Sequence, residues 1–145
     1  MKQNITLELT HDVFQILRQF PRIKFKPTDG LTRSEQELLV MLVINLDEEK
    51  KAFTVTEISN LLQITPAGVT HLLNPLEAAG YIERLPAPND RRVVRVGLTD
   101  KGTQEAEAIT LGVQEKIAEM VNFLGEEDSQ TFMRLMVKVI AFFAA

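Results

Sequence analysis

The stretch NDRRVVRVGLTDKG, residues Asn89–Gly102, contains a turn followed by a valine-rich strand and the start of a helix. Asn89 and Asp90 favour a tight turn, because their short side chains accept hydrogen bonds from nearby backbone. Tyr81–Leu85 before the turn and Val93–Leu98 after it carry aromatic and β-branched residues, which are typical of strands. Together these features predict a β-hairpin that leads into a helix.

The tip of the predicted hairpin is basic. Arg91 and Arg92 lie at or beside the turn, and Asp90 is placed to hold the guanidinium of Arg92 by a charge-assisted hydrogen bond. Pro86 and Pro88 are expected to keep the strands from pairing further toward the tip. Taken alone, such a segment could equally be a solvated charged turn without a function.

Thr54–Gly80, just before the hairpin, predicts two short helices joined by a tight turn. Thr54 and Glu57 have the spacing of a capping box at the start of the first helix. Thr65 followed by Pro66 predicts the start of the second, because proline suits the first helical position. A helix-turn-helix followed by a two-stranded wing is a winged-helix domain.

The second helix is predicted to bury its apolar side and expose a small, polar one. That exposed side carries Ala67, Gly68, Thr70, His71 and Asn74. A helix that enters the major groove of DNA needs such a surface at its N-terminal end, where side chains reach the base edges. The segment therefore favours DNA binding.

The hairpin residues Asp90, Arg92, Leu98 and Thr99 fit the pattern DxRxxxxxLT, and with it the chain resembles the MarR family. This is the multiple-antibiotic-resistance type of bacterial transcriptional regulator. The resemblance implies that Arg92 enters the minor groove of double-stranded DNA, that Asp90 fixes it, and that Thr65–Asn74 reads the major groove. The fold expected is mainly α, a winged helix-turn-helix domain with a small β-hairpin wing, flanked by N- and C-terminal dimerisation helices.

The predicted second helix departs from the usual family pattern at two positions. It carries no lysine or arginine, and His71 stands where a basic residue is frequent, so contact there is expected to be weaker or pH-dependent. Pro75 removes a helical hydrogen bond, and a kink or break is expected near Leu73 and Asn74. The predicted DNA-binding residues are Thr65, Pro66, Ala67, Gly68, Thr70, His71, Asn74, Arg84, Asp90, Arg91, Arg92 and Arg95.

Charge is distributed unevenly over the chain. The 145 residues carry a net charge of −4, which does not suit a general nucleic-acid binder. Between Arg84 and Arg95, however, four arginines stand against one acid, so the hairpin is locally +3. Because salt screens charges beyond about 8 Å, this local excess decides the attraction to DNA.

The remaining segments predict helices. Thr32 and Glu35 form a second capping-box pattern before a helix that runs to about Leu46. Residues 32–99 are expected to form the DNA-binding lobe of a single MarR-like chain. Residues 1–25 and 100–145 are expected to form a helical dimerisation region. Pro21–Pro27 is expected to be a solvated linker, and contact of its basic residues with phosphate is the alternative.

The predicted terminal helices are Ile5–Phe20, Thr99–Leu124 and Asp128–Ala145, with Gly125 as a cap between the last two. The last helix is too apolar to face water, and one small domain cannot bury it. A homodimer that interlocks these helices on a pseudopalindromic operator accounts for the surplus. The alternative is a helix that lies on a membrane surface.

Composition argues against several function classes. The chain has no cysteine, which excludes disulfides and thiol catalysis, and it has two histidines, His11 and His71. Neither a catalytic constellation nor a metal or cofactor site is predicted. No stretch of about eighteen apolar residues and no signal peptide are recognisable, so no membrane association and a cytoplasmic location are expected.

The sequence leaves the partner open between DNA and protein. A transcriptional regulator is favoured, and a noncatalytic winged helix that binds another protein instead of DNA is the alternative. The family resemblance implies repression that is relieved by a small aromatic or anionic effector, bound between the dimerisation helices and the DNA-binding lobe. Pocket aromatics could come from Phe14, Phe20, Phe25 and Phe53, although ordinary core packing explains each of them better.

Overall fold

The computed structural model describes residues 2–19 and 30–145. In chain order the elements are α1 (Lys2–Gln19), α2 (Arg33–Asn45), β1 (Phe53–Thr54), α3 (Val55–Leu62), α4 (Pro66–Ala78), β2 (Ile82–Ala87), β3 (Asp90–Leu98), α5 (Asp100–Leu124) and α6 (Glu126–Ala144). The mainly helical fold with a small sheet confirms the prediction. The proposed linker Pro21–Pro27, together with Phe20 and Phe25, lies outside the described residues.

Threonine caps set the starts of the four helices α2 to α5. Thr32 closes a full capping box, since its hydroxyl accepts from the Glu35 N–H at 3.2 Å and Glu35 accepts from the Thr32 N–H at 3.0 Å. Thr54 makes half of one, because it accepts from the Glu57 N–H at 3.2 Å. The carboxylate of Glu57 instead lies 2.6 Å from Lys50 Nζ, so the predicted box at Thr54 is not closed.

The turn between α3 and α4 is built without glycine. Gln63 adopts the left-handed conformation, with φ 56° and ψ 42°, and its amide donates to the carbonyl of Asn60 at 2.6 Å. Such a conformation costs a residue other than glycine about 1 kcal/mol, and the packed helices on either side hold it. The tight turn predicted between the two helices is thus confirmed.

Pro75 does not break α4, which runs uninterrupted from Pro66 to Ala78, so the predicted break is wrong. The helix ends only three residues later, and its inner side is fixed by the fully buried Val69, Leu73 and Leu76. Proline removes the bond to the carbonyl of His71, but that residue is exposed and water can reach it. Tertiary packing therefore overrides the local cost of proline.

The sheet has the order β1-β3-β2, with both pairings antiparallel. The two-residue strand β1 pairs Phe53 with Val96, and no sequence pattern predicted it. The expectation that prolines would stop pairing at the tip is wrong, because Pro86 pairs with Val94 and Ala87 pairs with Asp90. The turn itself consists of residues 88–89.

Between the pairs Pro86–Val94 and Ala87–Asp90, the register shifts. Residues 91–93 of β3 consequently have no partner on β2 and form a bulge beside the turn. A bulge bends its strand and redirects its side chains. Here the redirected segment includes Arg91 and Arg92.

The hydrophobic core lies within the lobe formed by α2, α3, α4, the sheet and the first half of α5. Its members are Leu38, Leu39, Leu42, Phe53, Ile58, Val69, Leu73, Leu76, Ile82, Val96, Ala106 and Ile109. This cluster places α4 against the hairpin. The two elements that were predicted to contact DNA therefore share one rigid support.

Thr99 joins the end of α4 to the start of α5. Its N–H donates to the carbonyl of Tyr81 at 3.1 Å, and its hydroxyl donates to the carbonyl of Gly80 at 2.6 Å. The same hydroxyl accepts from the Gly102 N–H at 3.0 Å, which caps α5. Lys101 Nζ donates to the carbonyl of Ala79 at 2.6 Å and so caps the end of α4.

The outer helices leave apolar surface in water. In α6, which begins at Glu126 rather than at Asp128, no residue is buried, and Ile140, Phe142 and Phe143 are 62%, 76% and 79% exposed. Leu9, Val13, Phe14, Ile16 and Leu17 of α1 are also more than half exposed. Over residues 2–19 and 30–145, no helix has both the length and the apolarity to cross a membrane.

Gly102→Ala is expected to destabilise the protein by about 3 kcal/mol or more, because an added Cβ would overlap the backbone carbonyl of Tyr81. Gly112→Ala in the same helix is the matched control. It has open space around it and should stabilise by about 0.5–1 kcal/mol through helix propensity. Urea unfolding of the three proteins measures the difference. Equal midpoints for the two variants would contradict the close approach at Gly102.

Candidate nucleic-acid interface

One side of α4 is exposed and carries the residues that were predicted to contact DNA. Its exposed members are Thr65, Pro66, Ala67, Thr70, His71 and Asn74, and Gly68 is half-buried. The opposite side is held in the core, so this side is fixed in orientation. It is small and polar, and it carries no lysine or arginine.

The hydroxyls of Thr65 and Thr70, at the start of α4, differ in the hydrogen bond that each can still offer to a ligand. Thr65 accepts from the Gly68 N–H at 3.1 Å, which leaves its own O–H proton available to a ligand. Thr70 donates its O–H proton to the carbonyl of Pro66 at 3.1 Å, which leaves its lone pairs available. The start of the helix thus offers one donor and one acceptor. A Cβ at Gly68 would lie 3.3 Å from the Thr65 hydroxyl, so the cap favours glycine there.

Arg84 joins the hairpin to α4. Its Nη2 donates to Asn74 Oδ1 at 2.8 Å, and its Nε lies 3.6 Å from Glu77 Oε2. Two of the predicted site residues, Arg84 and Asn74, are therefore in direct contact. Glu77 was not among the predicted site residues, although its position three residues after Asn74 places it on the same exposed side of the helix.

Arg91, Arg92 and Arg95 are the basic residues of β3. The first two are exposed and the third is half-buried. Within the residues that the structure describes, none of the three guanidinium groups forms an ion pair or a side-chain hydrogen bond. They are consequently free to bind an anionic partner.

The expected contact between Asp90 and the guanidinium of Arg92 is not formed. Asp90 Oδ1 instead accepts from the backbone N–H of Arg92 at 2.9 Å. This is the bond of an Asx-turn, which short acidic and amide side chains make to the backbone two residues on. Asp90 therefore fixes the backbone of the bulge, and the side chain of Arg92 extends into solvent.

The local charge of the hairpin is also corrected. Arg84 was counted as one of four cations, but Glu77 stands beside it and offsets its charge. The unpaired positive charge comes from Arg91, Arg92 and Arg95. It is concentrated at and beside the bulge, at the end of the hairpin remote from the Thr99 junction.

A cavity of about 350 Å³ lies between α2, α3 and α5. Its lining is mostly apolar with three polar groups at one side, and consists of Arg33, Gln36, Glu37, Val40, Met41, Leu61, Leu62, Ile109 and Val113. Arg33 Nε lies 3.3 Å from Glu37 Oε1. None of the four predicted pocket aromatics is in this lining, since Phe53 is core, Phe14 is exposed on α1, and the other two lie outside the described residues.

Comparisons with known proteins agree with this arrangement. Residues 29–93 match the family model described as MarR family. The HTH-type transcriptional regulator PapX of Escherichia coli is 29% identical over 106 residues, which cover 73% of this chain and 64% of PapX. The match thus spans a little less than two thirds of that relative's length.

Two solved structures are also similar. A mutant MarR from E. coli complexed with operator DNA is 28% identical, with 76% of each chain covered and a TM-score of 0.63. The MepR–DNA complex of S. aureus is 26% identical, covers 97% of this chain and 94% of MepR, and has a TM-score of 0.67. The MepR match extends over nearly the whole chain and so includes the helices outside the winged-helix lobe.

Proposed function

We propose that the chain is a winged-helix transcriptional regulator of the MarR family, whose model residues 29–93 match, and that it acts as a homodimeric repressor of a pseudopalindromic operator. A small effector releases it from the DNA. One observation supports the DNA-binding part of this proposal most directly. The unpaired arginines of the wing stand on the same rigid lobe as an exposed, small and polar side of α4.

In this proposal the wing and α4 contact different grooves of the DNA. Residues 65–74 enter the major groove, where Thr65 offers a donor and Thr70 an acceptor to base edges. Arg92 enters the adjacent minor groove, and Arg91 and Arg95 contact phosphates. Because α4 contributes no positive charge of its own, the wing supplies most of the electrostatic attraction.

The comparisons support DNA as the partner over another protein. PapX is named a transcriptional regulator, and the MarR and MepR structures contain DNA. A winged helix that binds only proteins has no counterpart among these relatives. Acting on chromosomal DNA places the protein in the bacterial cytoplasm.

Dimerisation is supported by the exposed apolar surface outside the lobe. Residues 32–99 form the DNA-binding lobe in this proposal, and residues 1–25 and 100–145 form the dimerisation region. The exposed apolar residues of α1 and of α6 are costly in water, and a second copy of the chain offers matching ones. Two lobes would then face successive half-sites of the operator.

The cavity between α2, α3 and α5 suits the effector. Its volume of about 350 Å³ fits a small molecule, and its apolar walls fit an aromatic ring. Arg33 at its polar side has only its Nε turned to Glu37, at 3.3 Å, so its other guanidinium N–H groups can donate to a carboxylate. Because the cavity lies between the lobe and the proposed dimerisation helix α5, occupancy would alter the spacing of the two lobes.

Arg92→Ala is expected to weaken binding to the preferred DNA fragment at least about tenfold, because each dimer loses two groove contacts. The fragment is obtained by selecting genomic DNA with the purified wild-type chain, and affinity is measured by fluorescence anisotropy. Lys116→Ala, which removes one positive charge from α5, is the control and should bind like the wild type. Failure to enrich any sequence, or equal affinities of the two variants, would contradict the proposal.

Sedimentation equilibrium is expected to give twice the chain mass of 16.4 kDa. Ile140→Glu places a charge in the apolar surface of α6 and should shift the protein toward monomer. Gln130→Glu adds the same charge at a polar, exposed position of α6 and should remain dimeric. A monomeric wild type, or two variants with the same mass distribution, would argue against this interface.

Benzoate, as a small aromatic anion, is expected to bind the protein and to lower its affinity for the selected fragment. Arg33→Gln should weaken benzoate binding by about fivefold, because it removes the charged donor of the cavity. Calorimetric titration measures the binding, with Lys116→Ala as a charge control. The effector site would be rejected if Arg33→Gln and the wild type bound benzoate equally.

A further inference from the structure

We propose that Arg84 is a positioning residue that determines which bases Asn74 can recognise. By holding the amide oxygen of Asn74, Arg84 leaves this side chain to act at the DNA surface as a donor only. The inference rests on the proposed role of α4 in DNA binding and concerns its specificity. It assigns Arg84 a task other than contact with phosphate.

The chemistry of the two groups fixes the orientation of the amide. A guanidinium only donates hydrogen bonds, whereas an asparagine amide has one accepting oxygen and one donating nitrogen. The atom that faces Arg84 Nη2 at 2.8 Å must therefore be Oδ1. The Nδ2 group, with its two N–H bonds, is left to face away from Arg84.

The position of Arg84 is itself fixed from two directions. Its backbone lies in β2 opposite Val96, which is fully buried, so the strand cannot shift relative to the lobe. Its guanidinium is bounded on the Nε side by Glu77, at 3.6 Å. Asn74 and Glu77 are three residues apart on α4, and one guanidinium spans both. The side chain is thus oriented before any DNA arrives.

The contact contributes little to folding stability, because all three side chains are exposed and surface pairs are weak. Its consequence is geometric instead. It selects one of the two orientations that a solvated amide would otherwise sample.

The selected orientation changes base recognition. Asparagine recognises adenine by two bonds, in which its oxygen accepts from N6 and its nitrogen donates to N7. The oxygen keeps a second lone pair, but its bond to Arg84 sets the direction in which it points, and in this orientation the first bond is no longer made. Guanine presents two acceptors, O6 and N7, and thymine presents O4, so a donor-only amide favours these bases. Cytosine presents only an amino group, which repels a second donor, and adenine keeps its N7 acceptor but leaves its amino group without a partner.

The test is a selection from randomised double-stranded DNA with the full-length protein and its variants. Asn74→Ala first identifies the base position that Asn74 contacts, as the position where preference is lost. The wild type should prefer guanine or thymine there. Arg84→Met keeps the aliphatic stem but removes the donors, and the freed amide should shift the preference toward adenine by about tenfold.

Two variants distinguish the orientation of the Asn74 amide from a general loss of positive charge. Arg91→Ala removes the same charge from the same hairpin and should lower affinity without changing the preference at the Asn74 position. Arg84→Lys retains a donor toward Oδ1 and should keep the wild-type preference. Circular dichroism melting confirms that each variant is folded.

Three results would overturn the inference. Arg84→Met could lower affinity equally for all four bases, which would make Arg84 a phosphate contact. Asn74→Ala could change no base preference, which would remove Asn74 from the interface. Selection of no sequence by the wild type would instead reject DNA binding itself, and the inference with it.

Discussion

The bonds around Thr99 are the constraint on which the arrangement of this molecule depends. A helix end leaves backbone carbonyls without partners, and at the end of α4 two of them are satisfied by residues of the next helix, Thr99 and Lys101. The same threonine caps α5 and holds the carbonyl of Tyr81 at the base of the hairpin. Because Gly102 has no Cβ, α5 can approach the backbone carbonyl of Tyr81 closely. The exposed side of α4, the wing and α5 therefore meet at one small set of bonds, and none of them can rotate independently.

Local signals in the sequence predicted most of this fold. Threonine caps at Thr32, Thr65 and Thr99, and the glycines at 80 and 125, marked helix ends correctly because each acts within a few residues of itself. The errors concern interactions between distant segments. Strand β1 exists because β3 has a free edge, which two residues alone cannot signal. Pro75 is tolerated because the inner side of α4 is buried by other elements.

The candidate interface was predicted as a set of positions but not as a set of contacts. Exposure of one side of α4 follows from helical spacing, and it was predicted correctly. The partner of Asp90 was wrong, since its carboxylate binds backbone where a guanidinium was expected. The contact of Arg84 with Asn74 depends on the position of β2 against α4, and nine residues separate the two along the chain, so no local pattern predicts it. Glu77 lies three residues after Asn74 on the same side of α4, but its part in the site depends on its contact with Arg84, which is likewise not local in sequence.

In the hairpin, the residues that pair to form the sheet are distinct from the exposed residues of the bulge at 91–93. Ladder pairing on both sides of it maintains the sheet, while the bulged residues contribute no pairing to β2. Substitutions there can alter the charge presented to a partner at little cost to the folding of the lobe. Relatives built on this scaffold can thus diverge in how strongly they hold DNA while the core and the Thr99 junction stay the same, so the wing tip is where affinity is most easily tuned.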